Sequence, residues 1–150
     1  MNYRHSIRTV FAAAAVVFAV AGCSVLQPNA NLAAFSTTMT GANEVPPVMT
    51  NATGTVYAQL NTDTRLLKWK VSYTGLSGPA TMAHFHGPAA IGANAKVTLP
   101  FRPPVTSPFE GQAILTPEQV ADLMAGKWYA NVHSAAHPGG EIRGQMILRQ

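Results

Sequence analysis

The sequence predicts an all-β fold: an antiparallel β-sandwich in one domain, with one short helix. Three observations predict it. From residue 34 onward, apolar and polar residues mostly alternate with period two, the pattern of strands that bury one face. Clusters of Gly, Pro and Asn at 75–79, 87–94 and 137–140 punctuate the alternation, as turns between strands do. Helical spacing occurs once, at 116–126. Many short strands with frequent turn signals are the pattern of a sandwich. No internal repeat or second domain is visible.

The elements follow in chain order. Residues 34–40 are the first candidate strand. In the next, Val56, Ala58 and Leu60 alternate with Thr55, Tyr57 and Gln59. Leu67, Trp69, Val71 and Tyr73 then alternate with Leu66, Lys68, Lys70 and Ser72. Further strands are expected at 81–86, 96–99 and 110–115. Thr116-Pro117-Glu118-Gln119 supplies an N-cap threonine, proline at the first helical position and a capping-box glutamine. Val120, Leu123 and Met124 recur at helical spacing and Gly126 stops the helix. It is about ten residues long and so suits a crossover rather than a layer. A strand at 127–134 has Trp128, Ala130 and Val132 on one face and Tyr129, Asn131 and His133 on the other. In the last strand Ile142, Gly144, Met146 and Leu148 share a face opposite Glu141, Arg143, Gln145 and Arg149.

The N-terminus reads as an address. Arg4 and Arg8 precede an unbroken apolar run from Val10 to Ala21, shorter than the roughly 20 residues a membrane-spanning helix needs but suited to a signal peptide. The run ends in Val20-Ala21-Gly22-Cys23, which resembles a bacterial lipobox. Residues 1–22 are therefore expected to be removed and Cys23 lipidated, with 23–33 as a tether and 34–150 as the domain. Ser24 follows the cysteine where an aspartate would favour inner-membrane retention. The expected location is thus the cell envelope, anchored to the outer membrane on its periplasmic or surface face.

Cys23 is the only cysteine, so the domain itself can hold no disulfide, thiolate metal site or cysteine nucleophile. Its stability must come from a core, and the chain is long enough for one. Ten Lys/Arg less Arg4 and Arg8 leave eight against six Asp/Glu, a net charge of about +2. These charges form no run, which argues against nucleic acid as a partner.

Four of the five histidines fall in two clusters, His84 and His86 in T-M-A-H-F-H-G-P and His133 and His137 in N-V-H-S-A-A-H-P-G-G-E. On a strand, residues two apart share a face, so His84 and His86 present their imidazoles together. If the two strands are neighbours, His133 joins them, with His137 closing from the loop. Such a set suits copper or zinc. Glu141 would be a further ligand or an acceptor orienting an imidazole. The other reading is structural: histidines beside glycines and prolines satisfy loop carbonyls as hydrogen-bond hubs.

With these segments placed, the chain resembles the CHRD domain, the module repeated in chordin and found alone in many bacterial secreted proteins. The resemblance rests on M-T-G-A-N-E-V-P-P-V from Met39 to Val48, Gly54, and T-M-A-H-F-H-G-P-A from Thr81 to Ala89. It continues through Leu115-Thr116, Leu123, Ala125-Gly126, W-Y-A-N-V-H from Trp128 to His133, and H-P-G-G-E-I-R-G-Q from His137 to Gln145. It spans about 33–150 in order, and departs only at Ser134, where the family often has a threonine. The resemblance implies an immunoglobulin-like sandwich, similar in layout to Cu/Zn superoxide dismutase. It implies little about activity. The dismutase's zinc-site aspartate, bridging histidine and disulfide have no counterpart here, so dismutation is not expected.

Other chemistry is thinly supported. Glu44 with Glu141 is the only plausible carboxylate pair for glycoside hydrolysis, and nothing in the sequence joins them. G-G-E-I-R-G-Q is strand-like and lacks the Lys-Ser/Thr of a phosphate loop; there is no G-x-S-x-G elbow. Glu44, Glu141 and Arg143 suit a structural role, with a carboxylate pairing to Arg143 to fix the loop stiffened by Pro46 and Pro47. The expectation is a non-catalytic envelope lipoprotein whose sandwich binds a protein or other envelope partner. The alternative is a copper- or zinc-binding protein using His84, His86, His133 and His137. For the former, the loop from Phe101 to Phe109 offers two phenylalanine anchors, unless these cover the end of the sandwich.

Overall fold

The computed structural model describes residues 31–149. The expected signal peptide, the lipidation site Cys23 and most of the tether lie outside the described residues. The strands are β1 (Leu32–Thr40), β2 (Thr53–Asn61), β3 (Leu66–Thr74), β4 (Ala80–His86), β5 (Val97–Pro100), β6 (Phe109–Ile114), β7 (Tyr129–Ser134), β8 (Ile142–Gln145) and β9 (Ile147–Arg149). The helix α1 (Pro117–Met124) lies between β6 and β7. All pairings are antiparallel, and the strand order is β5-β4-β7-β8-β1-β2-β3-β6, with β9 also on β1.

This sheet curls over on itself into a sandwich. Trp69 on β3 meets Phe85 on β4 edge-on at 5.6 Å between ring centroids, although several strands separate them in the order. Phe101 stacks on Trp69 at 5.1 Å and Trp128 lies 5.6 Å from Phe85. The two layers are β5-β4-β7-β8 and β1-β2-β3-β6, joined where Thr40 pairs with Arg143. The alternation read from the sequence is the alternation of burial: Val56, Ala58 and Leu60 on β2 and Leu67, Trp69 and Val71 on β3 face the core.

The helix has both halves of its capping box, Gln119 N–H to Thr116 Oγ1 and Thr116 N–H to Gln119 Oε1. It ends at Met124, shorter than expected, with Gly126 at φ +70° making the stop. Leu123 enters the core, whereas Met124 is exposed.

One expectation is corrected. The last strand is broken at Met146, whose N–H turns to bond Trp128 O at 2.8 Å; β9 then pairs with β1 instead of β7, and Leu148 leaves the core face. Of the two readings of the loop from Phe101 to Phe109, the packing agrees with phenylalanines that cover the sandwich: Phe101 and Val105 are buried, and Phe109 packs against the core.

Candidate metal centre

The site stands on the outer face of the pair β4 and β7. On β4 the core takes Ala83 and Phe85, so Met82, His84 and His86 point outward. On β7 the core takes Ala130 and Val132, leaving Tyr129, Asn131 and His133 outward. The register sets Met82 opposite His133, His84 opposite Asn131, and His86 opposite Tyr129. The outer face is therefore a grid of six side chains, and every residue of β7 is buried on both faces.

Loops build the walls. His86 Nδ1 donates to Ala95 O at 3.0 Å, and His133 Nδ1 donates to Pro138 O at 2.9 Å. A carbonyl only accepts, so the main chain fixes both tautomers and leaves both Nε2 atoms as lone-pair donors in the neutral rings. Both Nε2 atoms lie 3.0 Å from Asn131 Oδ1, and His133 Nε2 lies 3.1 Å from His84 Nδ1. One ligand nitrogen from each of His84, His86 and His133 lies within 4.8 Å of the others. Three imidazoles and an amide oxygen thus converge with at most one proton among them, that on His84 Nδ1.

The rings are held neutral. Burial, with the neighbouring His133 and His86 charges, pulls His84 down to about 4. Burial also lowers His86, partly opposed by its bonds to Ala95 and Asn131, and lowers His133, opposed by the bond to Pro138. Packing adds direction: His86 stacks on Tyr129 at 4.7 Å with the rings 2° from parallel. Arg143, from β8 on the other side of β7, lies over the same Tyr129 ring at 3.4 Å. Its guanidinium donates to Asn94 Oδ1 and Ala93 O, pinning the loop that also supplies Ala95.

The other expected site residues divide. His137 does not belong to the group: the 134–140 turn folds its N–H back onto Ser134, and Pro138 O is what reaches His133. Glu141 is neither ligand nor imidazole partner. It accepts from Thr50 Oγ1, Ser77 N–H and Ser77 Oγ at 2.8–2.9 Å. Burial alone would raise its pKa, but these bonds and Ser134 outweigh that and lower it. Glu44 is buried and bonded by the Asn131 amide; burial raises it to about 7 against the opposing charge of Arg143. Its Oε1 has no partner among the described residues. Glu44 and Glu141 thus sit in separate networks, which removes the support for a catalytic carboxylate pair.

Sequence reasoning missed Asn131 and Tyr129. Their signal was present, since both share His133's face at intervals of two. Gly140, at φ +126°, shows how tight this corner is: a Cβ there would run into Glu44 Oε1 and come within 2.7 Å of Asn131 Nδ2.

A family model described as the CHRD domain matches residues 35–146. No curated protein and no solved structure matches the chain.

Proposed function

This chain belongs to the CHRD domain family, and from that premise we propose that its β-sandwich is a metal-binding module that holds a copper or zinc ion on His84, His86 and His133. One observation carries the reading: two imidazoles whose Nδ1 protons are committed to main-chain carbonyls aim their Nε2 lone pairs at a shared point beside a third imidazole. Lone pairs facing lone pairs in a buried site repel, and a cation is what relieves them. Carbonyls that fix the far nitrogen are the usual outer support of histidine metal sites.

The role is non-catalytic binding, since no acid–base pair accompanies the imidazoles. The protein acts in the bacterial cell envelope, anchored through a lipid on Cys23 in the outer membrane. Nucleic acid is not a partner, and any protein partner in the envelope would meet a loop 101–109 whose Phe101, Val105 and Phe109 are already committed to the core.

A second reading has one specific observation behind it. Reversing the Asn131 amide lets Nδ2 donate to both imidazoles, with Oδ1 then facing Glu44. A Glu44 with a pKa near 7 can carry the proton that this arrangement needs. The histidines would then be scaffold.

Metal content and affinity of the purified protein separate the two. Under the metal reading, wild type binds about one equivalent of copper or zinc, and the His84→Ala/His86→Ala variant stays folded but loses it. Under the scaffold reading, no metal binds, and the variant loses stability because it strands buried partners.

A further inference from the structure

We infer that Met82 is the fourth donor of this site and that its ion is monovalent copper, an inference that rests on the three-imidazole reading above. Met82 shares the outward face of β4 with His84 and His86, and stands directly across from His133 on β7. Directly opposed residues of an antiparallel pair have Cβ atoms about 4.5–5.5 Å apart, within reach of an unbranched thioether. Against β7, the register irregularity of β4 lies between Ala80 and Met82; a second, against β5, lies between Phe85 and His86. From Met82 to His86 the pairing with β7 is therefore unbroken, and the three outward side chains form one row along it.

Packing gives Met82 no reason to be there. It is 46% exposed, and no core cluster includes it. Its sulfur is the only soft donor on the grid. The burial gradient also gives it a place. His86 and His133 are 8% and 5% exposed and form the floor. His84 is half-buried and Met82 more open. An ion would enter past the thioether and settle onto the imidazoles.

The choice of ion follows from charge and softness. All four donors are neutral: three imidazoles and a thioether. Of the two nearby carboxylates, Glu141 is committed to Thr50 and Ser77, and Glu44, with one oxygen unpartnered, is bonded by the Asn131 amide, whose Oδ1 faces the imidazoles. A fixed cation, Arg143, sits across Tyr129 from His86. Burying a divalent ion there without an anionic ligand costs more desolvation than burying a monovalent one. A thioether among imidazoles further selects the soft cuprous ion over Zn(II).

The test is an anaerobic competition titration of the full chain with Cu(I) against a chromophoric chelator, with Zn(II) and Cu(II) titrated in parallel. X-ray absorption of the copper-loaded protein supplies a second readout. Met82→Leu keeps the volume and is made at an exposed position, so the fold should be retained, as circular dichroism would show. The expected result is Cu(I) bound more tightly than Zn(II), a Cu–S scattering shell, and a roughly tenfold weaker Cu(I) affinity without that shell in Met82→Leu, with Zn(II) unchanged. Cu(I) bound equally well by both proteins, with no sulfur shell, would overturn the role of Met82 while leaving the imidazole site standing. Zn(II) preferred over Cu(I) by wild type would overturn the monovalent ion. No ion bound by wild type would overturn the metal reading itself.

Discussion

The two faces of the β4–β7 pair are made from alternate residues of the same two strands, yet they are stabilised by different physics. Inward, Ala83, Phe85, Ala130 and Val132 meet the other layer of the sandwich and are sealed by hydrophobic burial. Outward, His84, His86, Tyr129, Asn131 and His133 are sealed by loops and satisfied one bond at a time. Burial on the inner face is non-directional and tolerates neighbours of similar shape. The outer face is directional, so each ring has one productive orientation, and its energy is tied to where donors and acceptors fall. The inner face therefore makes the fold, and the outer face makes the site.

Breaking the inner face should give the largest effect. Phe85 is fully buried and meets Trp69, Phe101 and Trp128. Phe85→Ala should cost about 3–5 kcal/mol, measured by denaturant unfolding of the metal-free protein. A loss under about 1 kcal/mol would mean the two layers are less interlocked than the rings indicate. The next effect belongs to the seam between loops. Glu141 collects three bonds from Thr50 and Ser77 in a fully buried position. Glu141→Ala should therefore cost about 2–3 kcal/mol by leaving charged hydrogen bonds unmade. Metal affinity in the surviving folded fraction should hold, because Glu141 touches none of the imidazoles. A matching loss of affinity would return it to the site.

The inner face was legible in the sequence, and the outer face only in part. Burial of one face writes itself as period two, so β2, β3 and the outward placement of His84, His86 and His133 could be read directly. Their convergence could not, since it depends on β4 pairing with β7 across more than forty residues in a fixed register. His137 misled because nearness in sequence says little about a turn: the turn presents the Pro138 carbonyl, five residues after His133, instead of the His137 ring. The break at Met146 was hidden for a similar reason. Alternation continues through it, while the change of partner from β7 to β1 leaves no local mark.

Titration sharpens the comparison with smaller effects of opposite sign. The outer-face histidines have lowered pKa values, so the unfolded chain binds more protons than the folded one. Their stability is fully present above about 6.5 and is lost as pH falls toward the His84 value of about 4. Glu44 runs the other way, raised from 4.5 to about 7. Its contribution is present below its unfolded value and is lost as pH rises through 7. The two contributions therefore change in opposite directions over the same window, about pH 4 to 7, and the stability of the metal-free protein to unfolding should fall toward acid less steeply than the three histidines alone would make it. Glu44→Gln should remove the opposing contribution and steepen the acid loss, and His84→Ala should reduce that loss. A Glu44→Gln variant that instead flattened the acid loss would show that Asn131 couples the two networks tightly.

The smallest effect tests whether the site depends on stability in general. Thr116 caps α1 through Gln119 N–H, and the reciprocal Gln119 bond closes the box. Thr116→Ala removes one of these bonds and should cost about 1 kcal/mol. The helix contributes Leu123 to the core and nothing to the grid of β4 and β7. Metal affinity should therefore stay within error of wild type while the unfolding midpoint falls. If affinity falls as well, the outer face responds to any loosening of the sandwich, and the division between a face that makes the fold and a face that makes the site fails. If it does not, loss of affinity in His84, His86 or Met82 variants reads as the loss of a ligand.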